Sequence, residues 1–580
     1  MIPPNDADWA NKEGIPPLDD PAVQKYLDSR QAFIDLEHNQ RHDAHFRKSM
    51  SPVVAEACRI VSRIRQQELR EVWSLDPNVD PDDQIQADEI FYPGVMFTTA
   101  KKRVQSTKLW RIVRQMPKGS LLHAHLEAMF DLDLLIDLAF STPGIHMYAP
   151  APLLTAEDFD RAPFMFRYAA TSVKEPSSGN RSIWTADYTP SSLIPIQKAA
   201  TTFPQGGEQG FRAWLKGRMT LSAEHAYRHH HGVDAIWRYF GRCFPVIGSL
   251  VFYEPIFRRC FRRLLEELAN DGIRYVDFRA AFAFEYRREG VEEPEKDYFE
   301  FFRVFKDEIE QFKTSSEGKR FYGARMIWTS LRFQSNREIA DSMKQCISVK
   351  TAFPDVICGY DLVGQEDAGR PLVDLVPLLF WFRKLCADAR VEIPFFFHAG
   401  ECLGDGDSTD HNLFDAILLG TRRIGHGFSL FKHPLLIDTV KDKNILIECC
   451  PISNEILRLT GSIKQHPLPS LLSRGVSVSL CNDDPAVFGH GQNGLTHDFW
   501  QVVQGLENVG LSGLAVMAHN SILWSCYEDQ STSAWQSEIR SGIAGDGLKA
   551  QRLREWLTEF EAFCQWVVQE FGGEVDDAKN

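Results

Sequence analysis

No C-x-x-C pair occurs among the twelve cysteines of this 580-residue chain. A zinc ribbon or a thioredoxin-like motif is therefore not expected, and twelve cysteines spread this thinly do not make a disulfide scaffold. No apolar run is long enough to cross a bilayer. The most apolar stretch, Pro371 to Phe382, contains Asp374 and stops at Arg383. The first 30 residues lack a charged segment followed by an apolar one, so no secretory signal is read there and a cytoplasmic protein is expected. No internal repeat of roughly 20–50 residues is found. Positive charge is not in excess either. Lys and Arg number 64 against 79 Asp and Glu, a formal net charge of −15. Neither a nucleic-acid partner nor an anionic membrane surface is expected.

What is present is ordinary globular usage, with 44% hydrophobic and 25% charged residues, which excludes disordered, collagen-like and coiled-coil classes. A Pro/Asp-rich leader precedes a helical, heavily charged segment over residues 22–75, and a Pro/Asp-rich break follows at residues 76–83. Within the segment Val53, Ala57, Ile60, Val61, Ile64, Leu69 and Val72 form one apolar stripe, a helix face that needs a partner. It predicts either a homodimer through these helices or packing on the chain's own helices. From Ser120 short apolar runs recur between longer helical or loop segments. Strands are predicted at Leu121–Leu126, Ile273–Ala281, Tyr322–Thr329, Val356–Val363, Ile393–His398, Arg423–His426, Ile445–Cys449 and Val476–Leu480. Eight such units alternating with helices predict an α/β fold, a closed (β/α)8 barrel. The gap after the first strand is too long for one crossover, and the Pro/Ser/Thr/Gly-rich stretch 141–207 is read as an inserted subdomain. The expected division is a leader and helical extension over 1–110, a barrel over 111–572 and a tail over 573–580.

Polar residues gather at the ends of four of these strands. The first carries His123-Ala124-His125; alternate residues of a strand share a face, so both imidazoles reach one point. The fifth ends in FFFHAGE, giving His398 and Glu401; the sixth in RIGHG, giving His426; the eighth in NDDPAVFG, giving Asp483 and Asp484. Strand ends of a barrel converge on one mouth. Three histidines and an aspartate suit zinc or a similar divalent ion. Singly these signals are weak, since H-x-H on a buried strand is more often structural and Asp-Asp-Pro is a common turn. Their order, with few polar groups interrupting the strands elsewhere, favours a metal site.

Several other patterns are set aside. Gly489–Gly494 fits G-x-G-x-x-G but is separated from its strand by DDPAVF, unlike a dinucleotide turn. His125-Leu126-Glu127 mimics the H-x-E of cytidine deaminases, but no P-C-x-x-C follows. His225, His229, His230 and His231 are read as a solvated helix end, and Cys402, Cys449, Cys450 and Cys481 as small core fillers.

The segments MPKGSLLHAHLEAMF, IWRYFGRCFPVIGSLVFYEPIF, GYDLVGQEDAGRPL, FFFHAGE, RIGHGFSLFKHP, IECCPISNEILRL and NDDPAVFG run in order from Met116 to Gly489. In this combination the chain resembles the adenosine deaminase superfamily, within the metal-dependent amidohydrolase barrels. It is most similar to the adenosine deaminase-related growth factor branch, especially its fungal members. The resemblance implies that His123, His125, His398 and Asp483 are zinc ligands. It implies that Glu401 protonates purine N1 and that His426 orients or deprotonates the attacking water. Gly364 would offer its backbone N–H to N3, Asp484 would meet N7, Glu127 the ribose, and Trp237, in its W-x-x-F segment, would line the pocket. The implied reaction is zinc-dependent deamination of adenosine or 2′-deoxyadenosine, with a small-molecule purine nucleoside as substrate. The alternatives are deamination of another aminopurine, or a growth-factor-like binding protein whose catalysis is incidental. Secretion, usual in that branch, is the alternative location; here the insertion holds no cysteine, where animal members usually have a disulfide. Acidic residues after the strands (Glu127, Asp131, Glu366, Asp367, Asp405, Asp407 and Asp410) predict a negative rim that favours a nucleoside over AMP. The insertion's Arg161, Arg167, Lys174 and Arg181 are the counterweight if it folds over the mouth.

Overall fold

Among the described residues eleven strands are formed, eight of them in a parallel barrel. In chain order they are β1 (Gly119–His125), β2 (Ile145–Tyr148), β3 (Met165–Tyr168), β4 (Ile194–Pro195), β5 (Ile273–Ala281), β6 (Gly323–Leu331), β7 (Ile357–Val363), β8 (His398–Ala399), β9 (Arg423–His426), β10 (Leu446–Cys449) and β11 (Val478–Leu480). The computed structural model describes residues 7–73, 94–170, 182–404 and 406–573. The Pro/Asp-rich break, most of the expected tail, Lys174, Arg181 and Asp405 lie outside the described residues.

Two four-stranded parallel sheets, β1-β5-β6-β7 and β11-β10-β9-β8, form the wall. Parallel bridges join them at both seams. At one, the His125 amide donates to the Asp483 carbonyl at 3.0 Å and the Asp483 amide to the His123 carbonyl at 3.3 Å. At the other, Tyr360 donates to Pro394 at 2.9 Å and Phe396 to Tyr360 at 3.0 Å. The predicted (β/α)8 barrel is therefore closed, and the first seam places Asp483 beside both histidines of β1. Every residue of β1 and β7 is buried, as expected of strands covered on both faces. Helices such as Phe299–Thr314 and Asn336–Ala352 supply the outer layer, each burying one apolar stripe.

The insertion after β1 contains a three-stranded sheet in the order β3-β2-β4, antiparallel throughout. Irregular composition concealed these short strands. Beyond it the long helix Gly232–Val251 carries Phe240, which stacks on Phe488 of the loop after β11 at 5.7 Å.

The N-terminal stripe resolves against its role in a dimer. In the helix Pro52–Glu71, Ala57, Ile60, Val61 and Ile64 are buried. They pack on the chain's own final helix Leu548–Phe571, and Arg65 of the same helix donates to the Val503 and Gln504 carbonyls at 2.8 and 2.9 Å. The preceding helix Pro21–His38 buries no residue and leaves Tyr26, Phe33 and Leu36 exposed.

Candidate active site

The C-terminal ends of β1, β8 and β11 bring His123, His125, His398 and Asp483 together. One ligand atom from each lies within 4.8 Å of all the others, and all four residues are buried. His123 Nε2 and His125 Nε2 stand 3.2 and 3.3 Å from Asp483 Oδ1. Nδ1 of His123 meets Glu448 Oε2 at 2.9 Å. With Nδ1 donating there, Nε2 presents a lone pair to the site and faces the lone pairs of Asp483. Neither His123 Nε2 nor Asp483 Oδ1 has a hydrogen-bond partner, and both are buried. Opposed buried acceptors are costly unless a cation lies between them. The donor set therefore fits a divalent metal, and three histidines with one carboxylate suit zinc. His398 is fixed the same way: its Nδ1 donates to Asp361 Oδ2 at 2.6 Å. Burial outweighs Asp361 and holds the His398 imidazole near a pKa of about 3, so it is neutral, as a ligand must be. An overlapping set of His123, His426, Cys450 and Asp483 is also close, but the Cys450 thiol is directed to the Glu448 carbonyl.

Sequence reading missed the groups that orient these ligands. Arg279 and Arg423, both fully buried, lie in a charged layer beneath the histidines. Arg279 donates to Asp361 at 3.0 Å and to Glu448 at 2.6 Å. Arg423 pairs with Glu448 and, at 2.9 Å, with Asp277. Such ion pairs add little net stability but cost much to break, and they fix the ring orientation of metal-ligating histidines. The expectation that few polar groups interrupt the strands is thus corrected: Asp277, Arg279, Asp361, Arg423 and Glu448 all sit inside them. Charge within an otherwise apolar strand, as in ICGYDLV and LIECC, was the available signal.

Gly425 makes room for the site. A Cβ there would stand 2.9 Å from His123 Cε1 and 3.3 Å from the His398 Cα, so only glycine lets the imidazole lie against β9. At the site itself, His426 at φ +61° and Asp483 at φ +56° hold the left-handed backbone without being glycine. Such strain costs about 1–3 kcal/mol and collects at functional sites.

Glu401 and His426 complete the centre, with Glu401 Oε1 3.6 Å and Asp483 Oδ2 3.8 Å from His426 Nε2. Asp483 Oδ2 also accepts from Ser453 Oγ at 2.8 Å, and the Asn454 side chain meets His426 Nδ1 at 3.4 Å. Burial, then the Asp483 and Glu366 carboxylates, push the Glu401 carboxyl far above its ordinary range, which favours the protonated acid. Asp484 is buried and likewise raised by burial and then by Asp483. Its Oδ1 is unpartnered, as is Oε2 of the buried Glu127. Gly364 follows β7 at φ +106°, a conformation that favours glycine. Trp237 is half-buried against Phe240 at 5.0 Å, on a helix tied to the loop after β7 by Gln365 donating to Asp234 at 2.6 Å.

Three members of the expected acidic rim serve the fold instead. Glu366 is buried and accepts from the Gly400 and Glu401 amides at 3.2 and 3.1 Å and from Asn412 at 2.9 Å, so it holds the Glu401 loop in place. Asp131 caps the helix Leu132–Ser141. Asp410 is buried against Ser429 and His433. These carboxylates are consumed by the fold: Asp131 satisfies the first N–H groups of its own helix, Glu366 those of the neighbouring Glu401 loop, and Asp410 two polar side chains.

A parallel barrel with a His-x-His strand, two further candidate ligands after later strands and buried carboxylates beside them has the architecture of the metal-dependent hydrolases of the amidohydrolase type. The family model described as adenosine deaminase matches residues 222–541. The chain is 32% identical over 450 residues to the adenosine deaminase of Lutzomyia longipalpis, covering 76% of this chain and 81% of that protein. It is 31% identical over 440 residues to adenosine deaminase 2 of Homo sapiens, covering 75% and 79%. It is 30% identical over 454 residues to adenosine deaminase 2 of Dictyostelium discoideum, covering 76% of each. The chain belongs to the adenosine deaminase family.

Proposed function

We propose that this chain hydrolyses adenosine, or 2′-deoxyadenosine, to inosine and ammonia, with zinc held by His123, His125, His398 and Asp483. The observation that carries this reading is the convergence of those four residues with Glu401 and His426 at one end of a family barrel. Bound there, zinc would act as a Lewis acid that lowers the pKa of a water from about 16 to about 7. The chain's own residues do the rest. Glu401, protonated by its buried setting, delivers a proton to N1 as charge builds there, a contribution of roughly 10²–10⁴-fold. His426 and Asp483 orient the attacking water between them. Asp484 meets N7, the Gly364 N–H meets N3, Glu127 takes the ribose and Trp237 lines the pocket. Deamination of another aminopurine is the second reading, because the ligand set alone does not choose the ring substituent.

Further parts of the reading rest on it. The helical extension, the barrel and the insertion over 141–207 are proposed as the working units. Homodimerisation is retained through the exposed face of the helix Pro21–His38, not through the stripe of the next helix; sedimentation of a variant with Tyr26, Phe33 and Leu36 replaced by Ser tests it. Among the described residues no helix is long and apolar enough to cross a membrane, and twelve free cysteines suit the reducing cytoplasm; cell fractionation distinguishes this from secretion. The function itself is tested by ammonia release from a panel of aminopurines and AMP. Adenosine is expected to give the highest kcat/KM, and a higher value for AMP or free adenine would overturn the substrate. Glu401→Gln should keep its zinc while losing at least about 10²-fold in kcat.

A further inference from the structure

The net charge of −15 makes one cavity of the molecule unexpected. It has a volume of about 210 Å³ and is walled by five arginines from four segments: Arg161, Arg228, Arg238, Arg242 and Arg458. Arg238 and Arg242 stand one turn apart on the helix Gly232–Val251. Arg161 comes from the insertion, Arg228 from the turn before the long helix, and Arg458 from the segment after β10. The lip of this cavity is tied to the barrel's catalytic end. Arg458 follows Asn454, which meets His426, and the long helix is pinned to the loop after β7 by Gln365 and Asp234.

The charges of this cavity are only partly balanced. Arg161 pairs with Glu157 and Asp160, and Arg228 with Glu224. Among the described residues Arg238, Arg242 and Arg458 form no ion pair. Arg458 is only 6% exposed. Two of its nitrogens donate to the Gly232 and His225 carbonyls, while its Nε is buried without a partner. Burial and then the neighbouring Arg228 disfavour its charged form. Nη1 of Arg242 is likewise buried and unpartnered. One wall is aromatic, with Tyr239 stacked on His225 at 4.3 Å. Of the four histidines expected to be solvated, His229, His230 and His231 are exposed in the turn before the long helix, whereas His225 is half-buried against Tyr239; His225 and His231 also line the cavity.

Buried cations without counter-charge are retained at a cost. Guanidinium forks converging on a small cavity match the oxygens of a phosphate group, with which they form bidentate charge-assisted hydrogen bonds. We infer that this cavity binds a small phosphate-class anion, at a site separate from the catalytic centre. The ligand is either free inorganic phosphate or the phosphomonoester of a nucleotide. Bound there, it joins the insertion, the long helix and the segment after β10.

The test is calorimetric titration of inorganic phosphate, and separately of AMP, into the zinc-loaded full chain at fixed ionic strength. Both titrations are repeated with R238Q/R242Q. Saturable binding of one anion per chain is expected, with Kd raised at least about tenfold in the double variant. Adenosine turnover of that variant without phosphate should be unchanged, which separates failure of this site from failure of the deaminase reading. Binding of both ligands that is lost together assigns the phosphate group as the recognised element; binding of inorganic phosphate alone assigns the free anion. Absence of saturable binding up to roughly 10 mM, or binding that the double variant keeps, overturns the inference. Arg458 is buried, so the decision rests on the more accessible Arg238 and Arg242.

Discussion

Replacing Asp361 by Asn probes the layer beneath the metal site with almost no change of volume. Oδ1 of Asp361 accepts from the His398 and Leu362 amides at 2.9 and 2.7 Å, and an asparagine oxygen keeps both bonds. Oδ2 accepts from His398 Nδ1 at 2.6 Å and Arg279 Nε at 3.0 Å. In the variant an NH2 group stands there and faces two donors. The imidazole escapes by moving its proton to Nε2, and that nitrogen can then no longer bind a metal. Loss of such an orienting carboxylate weakens metal binding about 10–100-fold, or roughly 1.4–2.7 kcal/mol. Arg279 also loses one of its two carboxylates, which should destabilise the fold by about 1–3 kcal/mol. Competition against a chromophoric chelator reads the first quantity and chemical denaturation of the metal-free protein reads the second. Wild-type zinc affinity together with wild-type stability would refute the reasoning, since the tautomer would then not depend on Asp361.

Gly425→Ala should displace the His123 ring, because its Cβ would lie 2.9 Å from Cε1; bound zinc per chain measured by emission spectrometry should fall well below one, and full occupancy with full activity would remove the steric argument. Glu366→Ala frees the Gly400 and Glu401 amides, so kcat should drop by about tenfold or more with zinc content kept; an unchanged kcat would show that the loop holds itself. Glu455 is buried, and burial raises its carboxyl to a pKa of about 8. Its folded pKa lies above the unfolded one, so its effect is absent below about pH 4.5, and stability is lost as pH rises from there to about 8. Glu455→Gln should therefore gain on the wild type by on the order of 1–3 kcal/mol between pH 5 and pH 8, and an equal difference at both pH values in urea titrations would contradict this.

Sequence alone determined the strands of the barrel and pointed to the four candidate ligands, because strand patterns and short motifs are local. A strand is a run of apolar residues of fixed length, and the expected Ile273–Ala281 and Arg423–His426 coincide with β5 and β9. H-x-H puts two side chains on one face of a strand whatever else the chain does. Chain order then sets Glu401, His426 and Asp484 at the C-terminal ends of β8, β9 and β11. Tertiary structure alone decided the pairings between distant residues. Glu448 meets His123 across 325 positions of sequence and Asp361 meets His398 across 37, and no local periodicity encodes such partners. The same holds for carboxylates read as a charged rim: whether Glu366 faces solvent or the Glu401 amides depends on where another loop runs. The apolar stripe from Val53 to Val72 announced that it needed covering, but not that the last helix of its own chain would cover it. Hydrophobic burial is non-directional and accepts any complementary face, so the sequence fixes the need and only the packed molecule supplies the partner.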